Sequence, residues 1–168
     1  MKKLEISIKQ LILYIITIIV GVLLDQYTKV LVASHLKLYE RNVIINNFFN
    51  LTYIRNQGAA WGIMQGKMNI FFVISIIAVF AIGYYFYNSK PYQLFTRYGL
   101  ILIFTGLIGN LIDRIYLGYV RDFLDFIIIN YDFPVFNVAD ICITVGVILI
   151  IFEIGLEEYK AWKLTKSK

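Results

Sequence analysis

Two aspartates, Asp122 and Asp140, are the side chains of this sequence with the clearest potential for chemistry. Asp122 follows the third of four apolar segments, and Asp140 closes the stretch FNVAD at the start of the fourth. If the fold brings them together, the two carboxylates resist ionising at the same time, so one holds a proton while the other remains a base. Such a pair can activate water and protonate a leaving amine. It requires no Ser or Cys nucleophile, and we expect neither a metal nor another cofactor.

Helix capping is an alternative explanation for the second of these acids. Asn137 is a strong N-cap residue, Pro134 lies just upstream, and Asp140 follows Asn137 by three residues, as in a capping box. Capping accounts for Asn137 and Asp140 without any chemistry. It does not account for Asp122, which lies in a matching position after the preceding apolar segment.

A polar stripe on the third apolar segment leads toward the same end. Gly106, Asn110, Asp113 and Arg114 stand at i, i+4, i+7 and i+8, which places them on one face of a helix. The stripe can line a site. It can equally serve packing, with glycine for close approach of helices, Asn110 bonded across helices and Asp113 paired with an arginine.

The elements that must position these residues are membrane helices. The hydrophobic fraction is 60% and the charged fraction 16%, against roughly 45–50% and about 25% in soluble domains. We predict a membrane all-α fold, a four-transmembrane-helix bundle in one integral membrane domain, residues 1–168. The predicted spans, each about 20 residues long as a bilayer requires, are residues 11–31, 69–87, 94–112 and 138–156.

The distribution of Lys and Arg indicates on which side of the membrane the loops between the spans lie. The tails and the loop near Lys90 and Arg97 hold nine of the sixteen Lys and Arg residues, which favours cytoplasmic termini and outward-facing connections at residues 32–68 and 113–135. Lysines at the chain ends are typical of membrane flanks, so we expect no nucleic-acid partner. The aromatic stretch NFFNLTYIR, residues 47–55, predicts a short strand or hairpin on the membrane surface.

The residues that occur once or stand alone favour ordinary roles. A single histidine, His35, and a single cysteine, Cys142, exclude a His-rich metal centre and an intramolecular disulfide. We expect His35 in the outer loop, and Cys142 to pack near Gly146 on the side of its helix that faces away from Asp140. Trp61 is predicted to form part of a substrate groove, with an interface anchor as the alternative.

Five stretches, in order, resemble a known family. DQYTK (residues 25–29), RNQGAAWG (55–62), GNLIDR (109–114), GYVRDF (118–123) and FNVAD (136–140) are similar to motifs of the lipoprotein signal peptidases, or signal peptidase II. These are four-span bacterial aspartic proteases. The resemblance covers about residues 20–150.

The resemblance implies a role for each matching residue. Asp122 and Asp140 would be the catalytic pair; the substrate site would be lined by Asn56, Gly58, Asn110, Arg114 and Asn137, and its architecture supported by Asp25, Lys29 and Asp113. It also implies a small extracytoplasmic β-cradle formed by the aromatic stretch, and a mobile short helix in the second connection.

The family's substrate is a prolipoprotein, cleaved just before a lipobox cysteine that carries a diacylglyceryl group. The resemblance therefore implies such precursors and membrane lipid as partners, in the bacterial cell membrane, with the active site at the outer face. We expect a monomer.

The chain departs from the family pattern at two positions. Arg121 precedes Asp122 where an apolar residue is usual, and Ile141 follows Asp140 where a small or hydroxyl residue is usual. An arginine that turned toward Asp122 would lower the pKa of that carboxyl group. Neighbouring residues on a strand or helix normally point apart, however.

Two other functions fit the same acids. A small ion-coupled carrier could use membrane acids to shuttle protons, although the acids cluster at one face and no inverted repeat is visible. An inactive scaffold that binds lipoproteins would share every motif except the chemistry.

Overall fold

Four long apolar helices form the frame of the protein. The structure is a computed structural model that describes residues 6–58 and 68–166. The helices are α1 (Ile8–His35), α2 (Met68–Asn88), α3 (Leu94–Leu117) and α4 (Val138–Lys166). All four are long and apolar enough to cross a membrane, and each contains one of the predicted spans. The predicted four-helix membrane fold is therefore confirmed. Trp61, which was predicted to form part of a substrate groove, lies outside the described residues.

Helix α3 is the centre of the bundle and contacts each of the other three helices. Its closest neighbour is α4, because small residues let the two backbones approach. A Cβ atom on Gly99 would lie 2.5 Å from the carbonyl oxygen of Gly146, and the reverse holds for Gly146. The other helices direct most of their apolar side chains outward, as lipid-facing helices do.

A small antiparallel sheet covers one end of the bundle. Its strands are β1 (Arg41–Ile45), β2 (Phe49–Asn56), β3 (Val120–Ile128) and β4 (Tyr131–Asp132), in the order β1-β2-β3-β4. A short strand or hairpin was predicted for residues 47–55, and most of this stretch forms β2. The strand makes a hairpin with β1, and the chain turns at Asn47 with a positive φ of 57°. Aromatic pairs such as Phe49 and Phe126, stacked at 4.7 Å, join β2 to β3.

The second connection differs from the prediction. A short helix was expected there, but residues 118–137 form β3 and β4 and no helix. The expectation is wrong because VRDFLDFII is rich in β-branched and aromatic residues, and it pairs with an edge of β2 that would otherwise be unpaired.

A glycine turn brings β3 back over the bundle. Helix α3 ends at Gly118, whose φ of 74° lies in the left-handed region that favours glycine. Its N–H group donates to the carbonyl oxygen of Arg114 at 3.3 Å. The reversal carries residues 120–122 back alongside the last turns of α3.

Candidate active site

Asp122 lies on β3 and its carboxylate is 2% exposed. One oxygen, Oδ2, accepts a hydrogen bond from Asn56 Nδ2 at 2.9 Å, and Oδ1 accepts one from Asn137 Nδ2 at 2.6 Å. Asn56 is itself oriented, because its Oδ1 accepts the N–H group of Gly58 at 2.9 Å. The predicted residues Asn56 and Gly58 thus act together on Asp122.

Asp140 lies in the first turn of α4 and forms a capping box with Asn137. The N–H group of Asp140 donates to Asn137 Oδ1 at 3.0 Å, and Asp140 Oδ2 accepts the N–H group of Asn137 at 3.1 Å. The other carboxylate oxygen accepts Asn110 Nδ2 at 2.8 Å. The predicted cap is therefore present, and it fixes the orientation of the Asp140 side chain.

Asn137 connects the two acids. Its Nδ2 donates to Asp122 Oδ1 and, at 3.1 Å, to Asn110 Oδ1, while its backbone and Oδ1 hold Asp140. The side chain is fully buried. Asn137 was predicted to line the substrate site; instead it lies behind the two carboxylates, outside the set of residues that form the cavity wall.

A buried cluster of charges lies behind these amides. Lys29 Nζ is 2.8 Å from Asp25 Oδ2 and 3.8 Å from Asp113 Oδ2, and it donates to Asn110 Oδ1 at 2.9 Å. Asp25 Oδ1 accepts the N–H group of Ala139 at 2.9 Å, next to Asp140. The three residues predicted as structural support therefore meet in one cluster that contacts α1, α3 and α4.

Arg121 turns away from Asp122. Its Nη2 lies 2.7 Å from Asp113 Oδ1, and its Nε and backbone N–H groups donate to Asp113 Oδ2 at 3.1 and 2.9 Å. Side chains on a strand alternate between its two faces, which is why the neighbouring arginine and aspartate point apart. The possibility that Arg121 lowers the pKa of Asp122 by direct contact is not realised.

Both acids face a cavity of about 580 Å³. Asn56, Gly58, Asn110 and Arg114 also line it, as predicted for a substrate site. The other described residues of the wall are mainly apolar: Phe71, Val120, Phe133, Pro134, Val135, Phe136, Ile141, Ile143, Thr144 and Val145. Ile141, one of the two departures from the family pattern, is among them. The cavity combines an acidic and amide-rich end with an apolar remainder.

Arg114 has unused hydrogen-bonding capacity in this cavity. Its Nη1 donates to Ser75 Oγ on α2 in a long bond of 3.4 Å, and its buried Nε has no hydrogen-bond partner among the described residues. It does not pair with Asp113, whose arginine partner is Arg121. A cavity-lining guanidinium is suited to bind an oxygen atom of a ligand.

Burial sets the protonation of Asp122. Removal from water, together with the neighbouring Asp140 carboxylate, raises the pKa of Asp122 from 3.8 to about 7, although the amides of Asn56 and Asn137 oppose the rise. Asp122 can therefore hold a proton near neutral pH, as a general acid must.

The remaining candidates lie outside the cavity wall. His35 ends α1, rather than lying in the loop as expected, and its Nδ1 is 2.8 Å from the carbonyl oxygen of Leu31. Cys142 is absent from the wall although Ile141 and Ile143 contribute to it, as expected for a side chain that points away from Asp140. Among the described residues, no group of three His, Cys, Asp or Glu side chains could hold a metal ion.

Sequence reasoning missed two contributors. Gln26 bridges α1, α3 and β3: its Nε2 donates to Asp25 Oδ2 and the Gly109 carbonyl oxygen, and its Oε1 accepts Arg121 Nη2, each at 3.0 Å. Ser75, the partner of Arg114, is a buried hydroxyl in an otherwise apolar helix. Each is a polar residue in a mainly apolar segment of the sequence, and this was the signal that could have identified them.

Comparisons with known proteins show the family to which the chain belongs. The model of the family described as signal peptidase (SPase) II matches residues 17–156. The lipoprotein signal peptidases of Staphylococcus aureus strains bovine RF122 / ET3-1 and Newman are each 48% identical over 130 residues, which cover 77% of this chain and 80% of theirs.

Two solved structures, both described as bacterial membrane enzymes, share the fold. One has a TM-score of 0.84 and 40% identity over 94% of both chains; the other has a TM-score of 0.79 and 43% identity over 92% of this chain and 97% of its own. The chain belongs to the signal peptidase II family of membrane proteases.

Proposed function

We propose that Asp122 and Asp140 are the catalytic dyad of this protease and that a diacylglyceryl-modified precursor binds in the cavity that they line. As a member of the signal peptidase II family, the protein removes signal peptides from prolipoproteins. The cleaved bond is the one before the lipid-modified cysteine.

The single observation that carries the proposal is the position of Asn137. It donates to Asp122 through its side chain and holds Asp140 through both its backbone and its side chain. Two carboxylates from different elements are thereby oriented toward one cavity. A capping residue alone has no need to contact a second acid.

The reaction is hydrolysis by general acid and base. Asp140 takes a proton from a water molecule, whose oxygen attacks the carbonyl carbon of the scissile peptide bond. Asp122, with its pKa near 7, supplies the proton that the leaving amine nitrogen needs when the C–N bond breaks. The pair ends the reaction with one proton, as it began, but that proton is on Asp140. Proton exchange with water returns it to Asp122.

The walls of the cavity suit a lipid-modified peptide. Apolar side chains of α4 and of the segment before it, such as Ile141, Val145 and Phe133, can contact acyl chains. The polar end holds Asn56, Arg114 and the two acids, where a peptide backbone requires hydrogen-bond partners. One cavity thus provides for both parts of the substrate.

Charge distribution supports an outer-face site. The first residue of α1 and the last residue of α4 lie at the end of the bundle opposite the sheet, because four helices alternate in direction. The lysines near both chain ends favour the cytoplasm for that side. The sheet and the dyad then face outward.

The spans are residues 11–31, 69–87, 94–112 and 138–156, and the protein acts as a monomer.

The test is cleavage of a diacylglyceryl-modified precursor by purified Asp122→Asn and Asp140→Asn variants in detergent. We expect both to lose cleavage, because either loses one proton-transfer group. Asp132→Asn is the matched control: its side chain is 62% exposed on β4 and pairs with Arg41, so cleavage stays at the wild-type rate.

Cleavage at the wild-type rate by either Asp122→Asn or Asp140→Asn would refute the proposed mechanism. Wild-type protein that binds the precursor without cleaving it would indicate the scaffold function instead. An unmodified precursor, cut as fast as the lipidated one, would refute the proposed substrate class.

A further inference from the structure

Arg121 makes the most extensive polar contacts of any charged residue on β3. Two of its three side-chain nitrogens, Nε and Nη2, donate to the carboxylate of Asp113 on α3, and its backbone N–H group donates to the same carboxylate. A two-pronged arginine–carboxylate contact fixes orientation as well as distance. The Asp113 side chain is fully buried and that of Arg121 is 11% exposed, so water competes little for this contact.

The contact continues to the helix that carries the other acid. Arg121 Nη2 also donates to Gln26 on α1, and Gln26 donates to Asp25, which accepts the N–H group of Ala139 at the start of α4. The chain of contacts thus begins one residue before Asp122 and ends one residue before Asp140. It ties together the two backbone segments whose separation sets the geometry of the pair.

We propose that Arg121 is a positioning residue for the reaction: its contact with Asp113 and Gln26 fixes β3 against α3 and α1 and so places the Asp122 carboxylate opposite Asp140. The inference rests on the proposed dyad. Arg121 is absent from the cavity wall and its side chain leaves the opposite face of β3 from that of Asp122, so it acts on the geometry of the acids and not on the bound substrate.

The test is the steady-state kinetics of Arg121→Leu on the lipidated precursor. We expect kcat to fall by about 10- to 100-fold, because a displacement of about 1 Å at a reacting group can cost about 100-fold. KM stays within about twofold of wild type, because the cavity wall is untouched. Arg121→Lys retains the charge and one contact, and its kcat lies between those of wild type and Arg121→Leu.

Arg55→Leu is the matched control. Arg55 is the cross-strand partner of Arg121 on β2, but its side chain is exposed and lies over the ring of Tyr119 at 4.8 Å rather than against an acid. Its kcat and KM are expected to equal those of wild type.

A second variant separates positioning from folding. Arg121→Leu alone leaves Asp113 short of a partner, whereas Asp113→Asn combined with Arg121→Leu removes both charges and regains thermal stability. Under the positioning role, kcat stays low in this double variant because the two-pronged contact is still missing. Recovery of kcat together with stability would show a merely structural role and overturn the inference.

The remaining outcomes are equally decisive. An unchanged kcat in Arg121→Leu or Arg121→Lys, or a rise in KM without a fall in kcat, also overturns the positioning role. Cleavage by Asp122→Asn, assayed beside them, would refute the dyad itself. Loss of cleavage in Asp122→Asn with normal kcat in both Arg121 variants would refute only the inference drawn from Arg121.

Discussion

Gly106 offers a direct test of how closely α3 and α4 must approach for the site to form. A Cβ atom on Gly106 would overlap the carbonyl oxygen of Ala139 and lie 2.7 Å from Ile143 Cγ1. Ordinary contact begins near 3.4 Å, so α4 must move by roughly 0.7 Å or more to admit the methyl group. Ala139 and Ile143 flank Asp140, and the displacement therefore falls on the first turn of α4.

Two effects of Gly106→Ala can be estimated. Overpacking of a close contact costs about 1–3 kcal/mol, partly offset by the roughly 0.5–1 kcal/mol that alanine gains over glycine in a helix. For a chain of this size a net loss of up to about 2.5 kcal/mol lowers the unfolding midpoint by up to roughly 10 °C. Displacement of Asp140 lowers kcat by about 10- to 100-fold, with a smaller change in KM.

The assay pairs thermal unfolding in detergent with cleavage kinetics on the lipidated precursor. Gly155→Ala is the control, because it makes the same change on α4 where no atom of residues 6–58 or 68–166 lies within 4 Å of the added Cβ. It is expected to keep the wild-type kcat with an equal or higher midpoint. Wild-type kcat and midpoint in Gly106→Ala would refute the close approach on which the site depends.

Two further predictions concern the acids and their shared amide. Cleavage is expected to decline as the pH rises through about 7, to about a tenth of its plateau at pH 8, because Asp122 loses its proton above its pKa of about 7; a rate that rises between pH 7 and 8 would contradict its role as the acid. Asn137→Ala is expected to lose about 1 kcal/mol of stability with the helix cap and most of its cleavage. Asn137→Ser, which keeps a capping oxygen but lacks the donor to Asp122, should regain the stability and not the activity; recovery of both would assign Asn137 to capping alone.

Sequence reasoning succeeded where one element sets the geometry. The capping box of Asn137 and Asp140 lies within four residues. The helical period placed Gly106, Asn110, Asp113 and Arg114 on one face, and two of them, Asn110 and Arg114, line the cavity. Strand β2 followed in the same way from the short aromatic stretch at residues 47–55.

Distances between elements were beyond such reasoning. Arg121 and Asp113 are close because Gly118 reverses the chain. From the sequence, Arg121 could be expected only to point away from Asp122, and nothing in the motif identified Asp113 as its partner. Gln26 contacts Arg121 across 95 positions of sequence. The strand in place of the expected helix was missed for a related reason: β3 is stabilised by pairing with β2, and pairing of distant segments leaves only a weak signal in either one.

The choice of neighbours around the dyad has a chemical consequence. In the part of the chain that the structure describes, the hydrogen bonds to Asp122 and Asp140 come from amides, those of Asn56, Asn110 and Asn137. Two of the nearby cations are paired elsewhere, Lys29 with Asp25 and Arg121 with Asp113, and the third, Arg114, lines the cavity and donates to Ser75. A direct ion pair would favour the ionised form of each acid and remove the proton donor, whereas an amide orients a carboxylate without neutralising it. The cluster of Asp25, Lys29 and Asp113 therefore contacts the acids only indirectly, through Asn110 and the backbone of Ala139. One of the two carboxyl groups can then keep its proton and act as the acid.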